Sequence, residues 1–318
     1  MGTPDSIEDP PIPQYPKGLD LPMRDLSLMH HWCISTCYGF GDVFPDEVEP
    51  WRDQLPVIAQ NFPFLMRGIL AVTSLHVARS IYDYNTRSKY IQLAAYHQDL
   101  ALPEYRAALI DVTEDSVAAV LAFSALTTVY SFAAPKDARA LYASGAPEWL
   151  FLHRGPGPIP QHWQNWIDKS PLHTQMHRRR LSLIDPTVNP DDRHLIHLRS
   201  MLANLDAEEQ NHVVDYESAI YWLRQAFAHT CNADSRLGPK YGILFWAERI
   251  PAGFLELLSQ HKQAAIVLLA HSCVLAKRAS NFWYFEGFAE QTLAELQPFL
   301  SEEYLPWINW PLQECGLL

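Results

Sequence analysis

Apolar residues recur at steps of three and four along most of the chain, and alternation is nowhere sustained, so the pattern predicts helices. A first helix is expected over Asp25–Tyr38, with Leu28, Met29, Trp32 and Thr36 on its inward stripe and Gly39 and Gly41 ending it. A second runs from Asp46 to Asn61. Pro63 opens a stronger one reaching Tyr82, whose core face reads Leu65, Ile69, Val72 and His76. The next spans Thr86 to Ile110, with Tyr90, Leu93, His97 and Leu100 in register and Pro103 as a break or kink.

Ser116 to Pro135 carries no formal charge and has the length of a membrane span. Ser124, Thr127, Thr128, Tyr130 and Ser131 leave it only moderately apolar, so Asp115–Phe132 reads as a buried central helix. From Ala133 to Pro190 the periodicity fails, and Pro135, Pro147, Pro156, Pro158, Pro160, Pro171 and Pro186 punctuate short pieces such as Ala146–His153. Helices resume over Pro190–Asn204, Val213–Cys231, Lys262–Ser280 and Phe285–Leu300, and a last one ends near Glu314. The expected fold is all-α: a single-domain multi-helix bundle over residues 21–318 with a loop-rich, Pro-containing face, preceded by a disordered Pro-rich tail over residues 1–20.

Composition sharpens this picture. The 318 residues are 48% hydrophobic and 19% charged, enough apolar content for a large core, and no interior stretch reads as a free linker. A net charge of −12 sets the chain against phosphate backbones, so no direct nucleic-acid contact is expected. The basic cluster Arg178-Arg179-Arg180, with His173 and His177 before it, is too short to track a groove and reads as a nuclear-import signal or a solvated loop. Cysteines are few, odd in number and set in apolar helical context, which argues for a reducing compartment. Cys33 and Cys37 stand at helical spacing, but no second pair completes a zinc site, and neither metal nor cofactor is expected. Met1–Lys17 lacks the basic residue and apolar run of a secretory signal. Its opening Met1-Gly2-Thr3-Pro4-Asp5-Ser6 fits the loose myristoylation pattern with no polybasic patch beside it, so no membrane attachment is expected.

The chain carries no G-x-S-x-G, no G-x-G-x-x-G after a strand, no P-loop and no H-E-x-x-H. Several enzyme classes are thereby excluded, while a cofactor-free isomerase or cyclase needs only a shaped pocket and one or two tuned polar groups. His76, His97 and His271 each lie on an apolar stripe, as satisfied core histidines or as polar groups aimed into a cavity for a mostly apolar ligand. Ser124, Thr127 and Ser131 share a face that lines such a cavity or marks a close helix crossing. Aromatics gather at Phe282-Trp283-Tyr284-Phe285 and at Trp307 and Trp310. Glu286, beside the first set, is costly to bury as an anion and so is paired, exposed or tuned. The expected ligand site joins Phe282, Trp283 and Glu286 to the three histidines and the hydroxyl face.

Five runs, in order along nearly the whole chain, resemble the C-terminal regulatory domain of fungal zinc-cluster transcription factors, particularly the sterol-uptake-control type. They are Leu28-Met29-His30-His31-Trp32, Pro63 to Ala71, Ser74-Leu75-His76-Val77-Ala78, Ala94-Ala95-Tyr96-His97-Gln98 and Trp307-Ile308-Asn309-Trp310-Pro311. The resemblance implies an all-helical fold, residence in the nucleus or ligand-dependent entry from the cytoplasm, and dimerisation; sterol-sensing members hold a sterol and couple it to gene activation. The family's N-terminal cluster of six cysteines has no counterpart before Leu21. The chain thus reads as a truncated regulator, as a partner that dimerises with a full-length factor, or as the same fold reused, for example as a cyclase or isomerase.

Overall fold

Local chemistry sets where each helix starts and stops. The computed structural model describes residues 22–41, 48–135, 147, 149–150, 153, 161–170, 172, 182–232 and 237–318. Among these residues there are thirteen α-helices and no strand, so the all-α expectation holds. Helix α1 is Met23–Ile34, and the chain then tightens into a 3₁₀ turn, Thr36–Phe40, instead of continuing to Tyr38 as one α-helix. Leu28, Trp32 and Thr36 face inward, with Met29 half-buried. The expected second helix begins as a π-turn, Pro50–Gln54, followed by the short α2, Leu55–Ala59. Pro56 explains the wide turn, since its ring would clash with the carbonyl one regular α-turn earlier.

Helix α3, Pro63–Arg79, uses Pro63 in its first turn, where the missing N–H costs nothing. Helix α4, Tyr84–Ile110, is N-capped by Asp83, whose carboxylate accepts the Thr86 N–H at 2.8 Å. It runs on through Pro103 to Ile110, over the span expected and without the break that is one of the two readings of that proline: Pro103 and Asp99, whose carbonyl loses its regular donor, both lie on the exposed, solvent-facing side. Leu100, expected inward, is 39% exposed on that same face. Helix α5, Val117–Ala133, is the buried helix that its uncharged sequence predicts. No helix among the described residues is long and apolar enough to cross a membrane.

Helices α1, α3, α4 and α5 form a first group around α3, which packs most extensively on α4 and then on α5. Helix α6 is Gln161–Lys169, and α7, Asp192–His197, leads by a 3₁₀ turn toward α8, Val213–Cys231. A second group gathers α8 with α9 (Pro239–Arg249), α10 (Ala252–Ser259), α11 (Gln263–Arg278), α12 (Phe288–Leu296) and α13 (Asn309–Glu314). Helix α11 is its axis: every residue from Ala264 to Ala276 is buried, as expected of a helix apolar on all sides. One continuous apolar core runs through both groups, with a small satellite of Leu28, Leu70 and Leu93 between α1, α3 and α4. Residues 1–20, Arg178-Arg179-Arg180 with its two histidines, and half of Ala146–His153 lie outside the described residues.

Candidate functional site

The two helical groups meet at the turn Thr36–Phe40. Lys240, near the start of α9 and only 3% exposed, donates from Nζ to the carbonyls of Phe40 at 2.7 Å and Gly41 at 2.8 Å. The same ammonium lies 4.9 Å from the ring centres of Tyr241 and Phe282. Tyr284 donates its hydroxyl to the Gly39 carbonyl at 3.1 Å. A Cβ at Gly39 would stand 2.7 Å from Trp283 Nε1, so glycine is what lets the indole reach this turn. On the far side Phe285 and Phe288 pack their rings against Phe132 of α5.

His76, near the end of α3, sits at the centre of the contact. Its ring stacks on Trp283 at 4.6 Å and 21°, meets His31 of α1 edge-on at 5.3 Å, and shares a 2.9 Å hydrogen bond through Nδ1 with Thr36 Oγ1. Burial is the main cause that pulls His76 down to about 4; His31 and Arg79 push the same way, so the ring is neutral near pH 7. Arg79, one turn on, places its guanidinium carbon 5.8 Å from the Trp283 ring centre and donates from Nη1 to the Glu286 backbone oxygen and to Oε2, both at 3.2 Å. Glu286 is therefore both paired and exposed, at 71%. Three buried polar atoms of this cluster, His31 Nε2, Arg79 Nε and Trp283 Nε1, have no hydrogen-bond partner among the described residues.

His97 and His271 have different neighbours. His97, on α4, is 2% exposed, and neither ring nitrogen is hydrogen-bonded among the described residues. Its Nε2 stands 3.7 Å from Asp25 Oδ1, too far for a hydrogen bond, and burial holds its pKa below the ordinary value despite that carboxylate. His271, on α11, bonds through Nδ1 to the Val267 carbonyl at 2.8 Å and lies 5.5 Å from Trp310. Burial brings it, too, to about 4. Thr127 takes a long 3.4 Å hydrogen bond from Gln98 of α4, Ser131 donates to the Thr128 carbonyl at 2.7 Å, and Ser124 lies beside Tyr105 of α4, easing the rise that burial gives the phenol's pKa. These hydroxyls are engaged along α5 and across its contact with α4.

The structure thus brings His76, Phe282, Trp283 and Glu286 to one junction and places His97, His271 and the hydroxyl face elsewhere. Thr36, His31, Arg79 and Lys240 belong to that junction and were not singled out by sequence as site residues. The pattern held one usable signal: Lys240 is a charge in an otherwise apolar stretch just after a helix-opening proline. Among the described residues no group of three or more His, Cys, Asp or Glu is placed to hold a metal ion.

An all-helical chain closed by an aromatic junction defines the fold class, and comparison with known proteins narrows it. No family model matches the chain. It is 25% identical over 177 residues to Sterol uptake control protein 2 of Saccharomyces cerevisiae, covering 54% of this chain and 19% of that protein. It is 28% identical over 146 residues to Sterol uptake control protein 2 of Candida albicans, covering 44% of this chain and 19% of that protein. Over 313 residues, 92% of this chain and 61% of the other, it is 23% identical to Orsellinic acid/F9775 biosynthesis cluster protein D of Emericella nidulans. The matches therefore span about a fifth of the two sterol uptake control proteins. The chain is distantly similar to fungal proteins named for sterol uptake control and for a biosynthesis cluster.

Proposed function

We propose that this chain is a regulatory domain in fungal sterol or secondary metabolism, responding to an apolar small molecule or a protein partner and making no nucleic-acid contact of its own. The observation that carries this reading is the likeness to two sterol uptake control proteins, one of them over 54% of the chain. Similarity over 92% of the chain to a biosynthesis cluster protein supports the metabolic setting. The domain works as a homodimer, or as a heterodimer with a full-length regulator, in the nucleus or entering it from the cytoplasm when ligand binds. Its responsive contact is the junction of His76, Phe282 and Trp283, where a ligand or partner that shifts the aromatic segment moves one helical group against the other.

Against the rival reading of a cofactor-free cyclase or isomerase stands the electrostatics of the histidines. A general base works best with a pKa near the operating pH, and His76 and His271 are drawn down to about 4. The test is to fuse the chain to an unrelated DNA-binding domain and read a reporter gene while sterol and polyketide-like lipids are supplied or withdrawn. A several-fold change in reporter output is expected, together with a rise in melting temperature. A ligand at a hundred times its dissociation constant stabilises by about 2.7 kcal/mol. A constant reporter and an unmoved melting temperature would reject the reading, and turnover of a lipid by the purified chain would decide for the enzyme.

A further inference from the structure

We propose that the outer face of α1 docks a second copy of this chain, the two α1 helices packing antiparallel about a twofold axis at His30. This rests on the reading above only for its homodimer, to which it gives a face and a register. Helix α1 is apolar on two opposite sides. Leu28 and Trp32 are buried, while Met23, Leu26 and Ile34, with Tyr38 in the turn that follows, are between 49% and 67% exposed. At about 100° per residue, Met23, Leu26, His30 and Ile34 fall within about 80° of arc, on the side away from Leu28 and Trp32. Single exposed apolar residues are ordinary on a folded surface, whereas a row of them along one helix marks an interaction face.

The row matches itself when one copy is turned end for end. Leu26 and Ile34 stand four residues before and after His30, and Met23 and Tyr38 seven before and eight after. In an antiparallel pair each Leu26 therefore faces Ile34 of the second copy, each Met23 faces Tyr38, and His30 meets its counterpart on the axis. An unrelated helix would need no such symmetry. Charge favours the same pairing. The chain carries −12, so two copies repel over most of their surface, but the exposed residues of α1 include no acid and a single base, Arg24. Beyond the other end of the row, Arg52 lies beside Tyr38 and grips the half-exposed Asp53 at 2.8 and 2.7 Å. Turning one copy end for end brings Arg24 to the Asp53 end of the other, twice in each dimer. His31, which meets His76 edge-on in the junction, belongs to the same helix, so a shift there reaches the dimer face.

Sedimentation equilibrium on the full chain tests this. Wild type should pass from monomer toward dimer as concentration rises to about 200 µM, since one helix pair buries less than a standard interface. Leu26→Glu and Ile34→Lys each set a charge against an apolar side chain of the second copy, and each should dimerise at least about tenfold more weakly. An equimolar mixture of the two should regain the lost affinity. The glutamate of one chain then faces the lysine of the other, while the opposite contact stays Leu26 with Ile34. Parallel pairing brings no such rescue. Both charges suit the helix dipole at their ends of α1, so the melting temperature should hold. If either variant fails to fold, Met23→Glu with Tyr38→Lys makes the same test in the same register. A wild type that stays monomeric, variants that dimerise as well as wild type, or a mixture no better than its components would overturn the proposal. A monomer with a responsive reporter would sink the interface and leave the regulatory reading standing; a rescued dimer with a constant reporter would do the reverse.

Discussion

Burial of imidazole rings sets how this chain responds to acid. His76 and His271 are held at about 4 in the fold against about 6.5 when unfolded, and His31, His97, His194 and His229 are lowered in the same direction. A lowered histidine takes up protons more readily unfolded than folded, so stability rises with pH. That stability is complete above about 6.5 and is lost as pH falls through about 4. Urea unfolding midpoints should therefore drop between about pH 7 and about pH 5, and His271→Gln should make the drop shallower. An equally steep drop in His271→Gln would show that other groups govern it. Sequence placed these histidines on apolar stripes but could not supply their neighbours. Trp283, which stacks on His76, is remote in the chain, and periodicity carries no information about such pairs.

Helix crossings are where single atoms matter at the next scale. Helix α3 approaches α5 at Gly68, where a Cβ would meet the Phe123 ring at 2.7 and 2.9 Å and Leu126 at 3.2 Å. Phe123 is fully buried and cannot yield freely. Gly68→Val should therefore destabilise by about 1–3 kcal/mol through overpacking, even though glycine is a poor helix former. Thermal or urea unfolding checks it, and a neutral or stabilising result would mean that the crossing is looser than its geometry. Elements whose apolar residues recur at steps of three and four without interruption, such as α3 and α8, were legible from sequence. Helices α9 and α10 were not, because Pro239, Gly242 and Pro251 mimic loop punctuation while in fact opening helices or allowing close packing. Pro103 does not end α4, whose expected span already ran across it, since solvent on its face removes the penalty that would end a buried helix.

Across the whole molecule, the two helical groups are tied by Lys240, whose ammonium satisfies two backbone carbonyls of the Thr36–Gly41 turn. Lys240→Met should lower stability by about 2–4 kcal/mol, because hydrogen bonds from a charged donor are lost and buried acceptors are left bare. Faster proteolytic cutting near this turn is the companion readout, and resistance equal to wild type would show that the turn is held by its aromatic neighbours alone. The molecule's charge of −12 makes a second expectation: purified chain and random duplex at physiological salt should show no complex in a retardation assay, and a tight complex would overturn the charge argument. The ties between the groups also join distant parts of the chain: Lys240 lies 200 residues beyond Phe40, and Glu286 lies 207 beyond Arg79. Helices α3, α4 and α5 are complete by Ala133, whereas the aromatic segment that covers Phe132 ends at Phe288. At about 5–20 residues per second, a ribosome needs roughly 8–30 s to deliver it. For that interval the part of the α5 face that Phe285 and Phe288 will cover waits without them, so the nascent chain leans on chaperones before it leans on its completed core.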